Sequence, residues 1–174
     1  MYKREKLFMV VIVGPAGAGK TTLAEFLKNQ LVDTAHASSD NIKRFISQFR
    51  EVASHNKVSR NVVNAMVDEY LKNNINVIVE QNMDNEETEI LKKIGEKNNV
   101  DFFLYRIEAS KDIRRERIEE RTSKSSKPMM TEMTFEKLSK RYEENSHPSN
   151  RTFDSGQLCV KEIAEFILKD LKII

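Results

Sequence analysis

The segment Gly14-Pro15-Ala16-Gly17-Ala18-Gly19-Lys20-Thr21 satisfies the pattern GxxxxGK[ST] at every fixed position, and it joins two stretches of different period. Before it, Leu7–Val13 is a continuous apolar run rich in β-branched residues, the composition of a strand buried on both faces. After it, Leu23, Phe26, Leu27 and Leu31 recur at helical spacing. The chain has 174 residues and five glycines, three of them in this loop. Average usage would give roughly twelve, scattered. Glycine is therefore concentrated where a backbone has to turn between a strand and a helix.

Such a loop has a physical purpose. Glycines permit positive φ and remove side chains that would block an anion, so that several N–H groups can point inward at a phosphate. The helix that starts near Lys20 aims its N-terminal dipole at the same place. Lys20 is positioned to reach the β- and γ-phosphates of a nucleotide, and the Thr21 hydroxyl to hold Mg²⁺. Gly14, Pro15, Ala16, Gly17, Ala18, Gly19, Lys20, Thr21 and Thr22 are thus the expected nucleotide-binding set, with ATP and Mg²⁺ as the expected cofactors and ATP or GTP both compatible with the motif.

The rest of the chain alternates in period. Thr34–Ser38, Asn76–Glu80, Phe102–Ile107 and Arg151–Asp154 read as strands. Helical stripes separate them: Val62, Val63, Met66, Val67, Tyr70 and Leu71; Ile90, Leu91 and Ile94; Phe135, Leu138 and Tyr142; Ile163, Phe166, Ile167 and Leu171. Asp84 and Glu87 have capping-box spacing. Ile42, Phe45, Ile46 and Phe49 form another stripe, with Ser39-Asp40 as its N-cap and the two phenylalanines as core. Alternation of this kind implies an α/β, three-layer fold with a parallel sheet, in one domain spanning 1–174. Gly95 and Gly156 read as backbone punctuation, and Cys159 and the methionines as packing residues.

Composition narrows the function. Twenty-nine basic against 27 acidic residues leave a net charge of +2, too balanced to coat nucleic acid by bulk charge. One cysteine excludes an internal disulfide framework and a cysteine-based zinc site. No apolar run has the roughly 18 residues of a membrane span. The basic, then apolar, start has the outline of a secretion signal, yet it runs straight into the glycine loop; a buried first strand and a cytoplasmic location are expected.

The ordered set GPAGAGKT, SSDNIKR, VIVEQN and RERIEER resembles the small P-loop kinases related to phage polynucleotide kinase and the zeta-toxin-like kinases, over about residues 7 to 168. The resemblance implies a P-loop NTPase fold, five parallel strands in the order 2-3-1-4-5, and a helical lid over roughly 110–128. It implies that Asp40 takes the proton of an attacking hydroxyl, a role that the N-cap reading leaves open beside it. Lys43, where the family often has Arg, Arg44 and Asn82 fall at substrate positions. Glu80 stands where an acidic residue holds a Mg²⁺-bound water beside Thr21, although the family pattern is commonly Asp-x-Asn and this chain has Glu80-Gln81-Asn82; a strand-end surface acid is the alternative. Arg117 and Arg121 match the lid pair, which contacts the nucleotide and neutralises charge in transfer; interleaved Glu116, Glu119 and Glu120 equally suit a solvated helix. The expected activity is ATP-dependent phosphotransfer to an acceptor hydroxyl, on a nucleoside, a nucleotide or a polynucleotide 5′ end. The basic stretch with Lys43, Arg44, Arg50, Lys57 and Arg60 favours phosphate-bearing acceptors. A competing reading is a nucleotide-driven switch acting through a protein partner.

Overall fold

A computed structural model describes residues 1–2, 4–47, 55–81, 85–124, 130–144 and 149–173. Its strands are β1 (Phe8–Val13), β2 (Thr34–Ser38), β3 (Asn76–Glu80), β4 (Asp101–Glu108) and β5 (Arg151–Asp154). Its helices are α1 (Lys20–Gln30), α2 (Ser39–Lys43), α3 (His55–Lys72), α4 (Asn85–Lys97), α5 (Lys111–Ser123), α6 (Glu132–Glu143) and α7 (Val160–Asp170). The five strands form one sheet in the order β2-β3-β1-β4-β5, every pair parallel, which is the expected α/β three-layer P-loop NTPase architecture.

β1 is central and buried throughout, so both faces of its continuous apolar run are used. Phe8, Val10 and Ile12 point into one core with Leu23, Ala24 and Leu27 of α1 and Ile163, Ala164 and Ile167 of α7. Met9, Val11 and Val13 point into the other with Val63, Val67 and Leu71 of α3 and Leu91 of α4. The strand order reverses direction at β1, whose neighbours are β3 and β4. That is the switch point at which parallel α/β sheets bind ligands outside their carboxyl ends.

Several expectations need correction. The second stripe is not one long helix: α2 ends at Lys43, its N-cap is Ser38 with no side-chain cap bond, and Phe45 is 86% exposed. Apolar spacing alone does not reveal where the chain must leave the sheet end. Phe49, and Asp84 of the expected capping box, lie outside the described residues. Gly95 is no punctuation; it lies buried inside α4, where a Cβ would meet Val100, Met9 and Phe102 only at ordinary van der Waals distance. Cys159 is exposed, and so is Met133; neither packs into the core. Among the described residues, no helix is long and apolar enough to cross a membrane.

Asn76 ties the sheet together at the end opposite the glycine loop. Its Oδ1 accepts the Phe8 N–H at 3.0 Å, and its own backbone N–H reaches Asp33 O at 2.8 Å. Replacement Asn76→Ala leaves the buried Phe8 N–H unsatisfied and is expected to cost about 1–3 kcal/mol. A shift in denaturant midpoint at constant m-value checks this.

Candidate active site

The glycine loop leaves β1 at Gly14 and enters α1 at Lys20. Gly14, Gly17 and Gly19 have φ of 147°, 83° and 93°, the left-handed region that side-chain-bearing residues avoid. At two of them space is also denied: a Cβ on Gly14 would lie 2.1 Å from Ile107 O, and one on Gly17 2.7 Å from Arg114 O. At the start of α1, Leu23 N donates to Gly19 O at 3.0 Å. The N–H groups of Lys20, Thr21 and Thr22 belong to the first turn, whose donors have no partner within the helix. An anion at that point would satisfy them.

Lys20 is 8% exposed, and its Nζ donates to Pro15 O at 3.0 Å. Burial lowers its pKa below the ordinary lysine value, while the Glu80 and Asp40 carboxylates work in the opposite direction. Those two carboxylates, far apart in sequence, thus both favour the charged form of the loop lysine. Thr21 Oγ1 donates to Glu80 Oε1 at 3.1 Å. Burial disfavours the Glu80 anion, but His36, Lys20 and Thr21 outweigh it and hold the carboxyl below the usual range. The donor set at this point is a hydroxyl and an ionised carboxylate. Hard oxygen ligands of this kind, few in number, fit Mg²⁺, which takes the rest of its shell from water and phosphate oxygens. Among the described residues, no group of three or more His, Cys, Asp or Glu side chains gathers to hold a metal by itself.

Asp40 lies in the first turn of α2, directly after β2, and its side chain is 77% exposed. It does not cap the helix. Lys43 Nζ binds its Oδ1 at 2.8 Å, so Lys43 is engaged by the neighbouring acid. Arg60 pairs with Glu87, while Arg44 and Lys57 are exposed. The basic charge expected to favour phosphate-bearing acceptors is thus partly compensated within the protein. Asn82 and Arg50 lie outside the described residues.

α5 carries the two expected arginines and a third that spacing did not single out. Arg117 Nη1 donates to Gly17 O at 3.4 Å and to Ser155 Oγ at 2.9 Å, and Nη2 to Ser155 O at 2.7 Å. Ser155 in turn donates from Oγ to Ala18 O at 2.8 Å and Glu108 O at 3.0 Å. Arg121 is exposed and, with Arg117, Glu120 and Lys124, lines a cavity of about 340 Å³. The other walls include Gly19 and Thr22 of α1's start, Ser155 and Cys159. This cavity opens beside the loop. Arg114 is the unanticipated member. It is 4% exposed, donates to Ala109 O at 3.2 Å, Ala16 O at 3.4 Å and Ser139 Oγ at 3.0 Å, and lies 5.3 Å from the Phe135 ring centroid. It fastens the loop to α5 and α6. Nothing in the string Arg114-Arg115 distinguishes the buried arginine from its half-buried neighbour. Residues 125–128 of the expected lid lie outside the described residues.

Arg114→Ala is expected to destabilise the protein by about 2–4 kcal/mol through lost charged hydrogen bonds and ring contact. Arg115 lies at the same 5.3 Å from the Phe135 ring and has ion pairs to Asp112, Glu132 and Glu136, but water reaches these pairs, so its replacement by alanine should cost less than that of Arg114. Denaturant melts of the two variants side by side test this ordering.

Residues 9–145 match the AAA domain family. No curated protein sequence is recognisably similar to the chain. Among solved structures, a provisionally assigned kinase of Chloroflexus aurantiacus superposes with a TM-score of 0.76 at 18% identity, covering 97% of this chain and 98% of its own. The Mycobacterium tuberculosis APS kinase CysC in complex with AMPPNP and APS gives 0.67 at 14% identity, with 97% and 99% covered. Chaetomium thermophilum Kti12 in complex with ADP-AlF3 gives 0.69 at 16%, with 94% and 98% covered. At such identities the likeness establishes the fold, while the family match rests on the sequence itself. The chain, with its complete phosphate loop at the head of a 2-3-1-4-5 sheet, shares its fold with these structures and belongs to the AAA domain family.

Proposed function

We propose that this protein is an ATP- and Mg²⁺-dependent phosphotransferase that moves the γ-phosphoryl to an acceptor hydroxyl, on a nucleoside, a nucleotide or a polynucleotide 5′ end. The observation that carries the reading is a pair of strand-end carboxylates, both favouring the charged form of Lys20, that have different surroundings. Glu80 is buried and bonded to Thr21; Asp40 is open to solvent at the end of β2. A hydrolytic switch needs a held water, whereas an exposed acid beside the loop lysine leaves room for an acceptor molecule. The APS kinase of the same fold contains AMPPNP together with APS, which supports a site that admits two ligands at once.

In this reading the loop N–H groups and Lys20 hold the β- and γ-phosphates, and Thr21 and Glu80 would hold Mg²⁺, Glu80 through a water. The metal would neutralise phosphate charge as it shifts toward the leaving group. Asp40 orients the acceptor hydroxyl and takes its proton as the new O–P bond forms and the bond to the bridging oxygen breaks. Ser155 and Gly17 occupy Arg117 and hold it at the cavity wall. Arg121, which has no hydrogen bond or ion pair among the described residues, is the lid cation left to meet phosphate charge. Lys43 and Arg44 border the acceptor; Lys43 also steadies Asp40.

Lys20→Ala should abolish nearly all transfer. Asp40→Asn should lower turnover by about 10²–10⁴-fold with nucleotide affinity little changed. Both are read by incubating the protein with ATP and pooled hydroxyl acceptors and detecting the phosphorylated product by mass spectrometry. Unchanged turnover in Asp40→Asn would remove Asp40 from the mechanism. ATP hydrolysis indifferent to every acceptor and raised by a protein partner would replace the kinase reading with a switch.

A further inference from the structure

β2 and β3 pair with Thr34 opposite Asn76, His36 opposite Ile78 and Ser38 opposite Glu80. Side chains two apart share a face of a strand, so His36 lies on the same side of the sheet as Ile78 and Glu80. That is the side covered by α1, since Ile78 packs in the core with Leu23 and Leu27. His36 sits one residue pair below Glu80, and its Nε2 is 3.7 Å from Glu80 Oε2. Both side chains are 7% exposed. The distance is within ion-pair reach and about 0.8 Å beyond an ordinary N–H···O contact. Nε2 is buried and has no hydrogen-bond partner. A buried ring nitrogen left unpaired is unfavourable unless another state of the site uses it.

Glu80 supplies a reason. Its Oε1 accepts the Thr21 hydroxyl, which leaves Oε2 as the oxygen turned toward His36. A glutamate has one more rotatable bond than an aspartate, and its terminal torsion is broad and roughly two-fold. One hydrogen bond at Oε1 does not stop the carboxylate from turning about that torsion. A second contact at Oε2 does.

We propose that His36 is a positioning residue that grips Glu80 Oε2, so that Oε1 stays turned to Thr21 and the Mg²⁺ position. The inference rests on the reading of Glu80 as the carboxylate that holds Mg²⁺ through a water. Partners that orient metal-binding groups from behind commonly change metal affinity by 10–100-fold when removed. Here the effect belongs at the lower end, because His36 acts through Glu80. The acid at the end of β3 can thus be a glutamate in this chain because β2 provides the restraint that the longer side chain needs.

The test measures binding of a fluorescent ATP analogue to the full chain as Mg²⁺ is titrated, and again in EDTA. His36→Phe keeps the ring and removes the nitrogen. It should raise the Mg²⁺ concentration at half-maximal binding roughly tenfold, while affinity in EDTA stays within about twofold. Gln places an amide nitrogen near the position of Nε2 and Asn near that of Nδ1. His36→Gln should therefore return the midpoint to within about threefold, and His36→Asn should not. An unmoved midpoint in His36→Phe, with Glu80→Gln shifted, overturns the role of His36 alone. An unmoved midpoint in Glu80→Gln overturns the metal role of Glu80 and with it the inference. Equal losses with Mg²⁺ and in EDTA would make His36 a packing residue. Should His36→Phe lose its cooperative thermal transition, the Gln and Asn variants decide, and equal midpoints for those two overturn the proposal.

Discussion

Gly17 lies so close to α5 that a single added carbon would stand 2.7 Å from the Arg114 carbonyl oxygen and 2.9 Å from its Cβ. The phosphate loop is therefore shaped from outside as well as from its own dihedral angles. Arg114 completes the hold: its guanidinium reaches back to Ala16 O, sideways to Ser139 on α6, and lies over Phe135. On the other flank Gly14 is pressed against Ile107 at the end of β4, and Ser155 bonds Ala18 O from the loop after β5. A flexible glycine segment would lose much entropy on closing around a phosphate. Fixing it through α5, β4 and the β5 loop meets that loss during folding, so the inward N–H groups are available before any nucleotide arrives.

The same supports divide labour among the cations. Four of them, Lys20, Arg114, Arg117 and Arg121, lie around one loop. Arg114 is buried in protein contacts, Arg117 is bound to Gly17 and Ser155, and Lys20 rests on Pro15 O. Arg114 and Arg121 each disfavour the charged form of Lys20, against Glu80 and Asp40, which favour it. This balance is a reason for the two carboxylates to be where they are. Without them, burial and two neighbouring arginines would all act to discharge the lysine proposed to hold phosphate.

The loop, the sheet and the two cores were legible in the chain because each is written in contiguous residues. Three strands, Thr34–Ser38, Asn76–Glu80 and Arg151–Asp154, have in the structure the bounds that composition and alternation suggest. Readings failed where the deciding partner is distant in sequence. Phe45 has helical spacing from Ile42 and Ile46, but α2 stops first and leaves it exposed. Cys159 reads as a packing residue, yet it heads α7 at the mouth of a cavity built by α1 and α5. Arg114 and Arg115 are identical neighbours until α6 arrives to bury one of them. His36 shows an intermediate case: once β2 and β3 are known to pair in parallel from Thr34 and Asn76, strand period alone places it beside Glu80.

That difference follows the anatomy of the site. Its nucleotide half is local. A strand, a turn and the first helical turn lie within residues 8–22, and the donors come from one backbone segment. The acceptor half proposed for it draws on the ends of β2 and β3 and the starts of α2 and α3, which only strand pairing brings together. There, charges that look like a basic patch in the sequence meet partners: Lys43 meets Asp40, and Arg60 meets Glu87. In the proposed reading, an ion pair within the site changes what an acceptor must offer. The acceptor would have to compete with Asp40 for Lys43, or leave that pair intact and present its hydroxyl to the exposed face of the carboxylate. Hydrogen-bond geometry at Asp40 would then govern recognition on this side more than net positive charge.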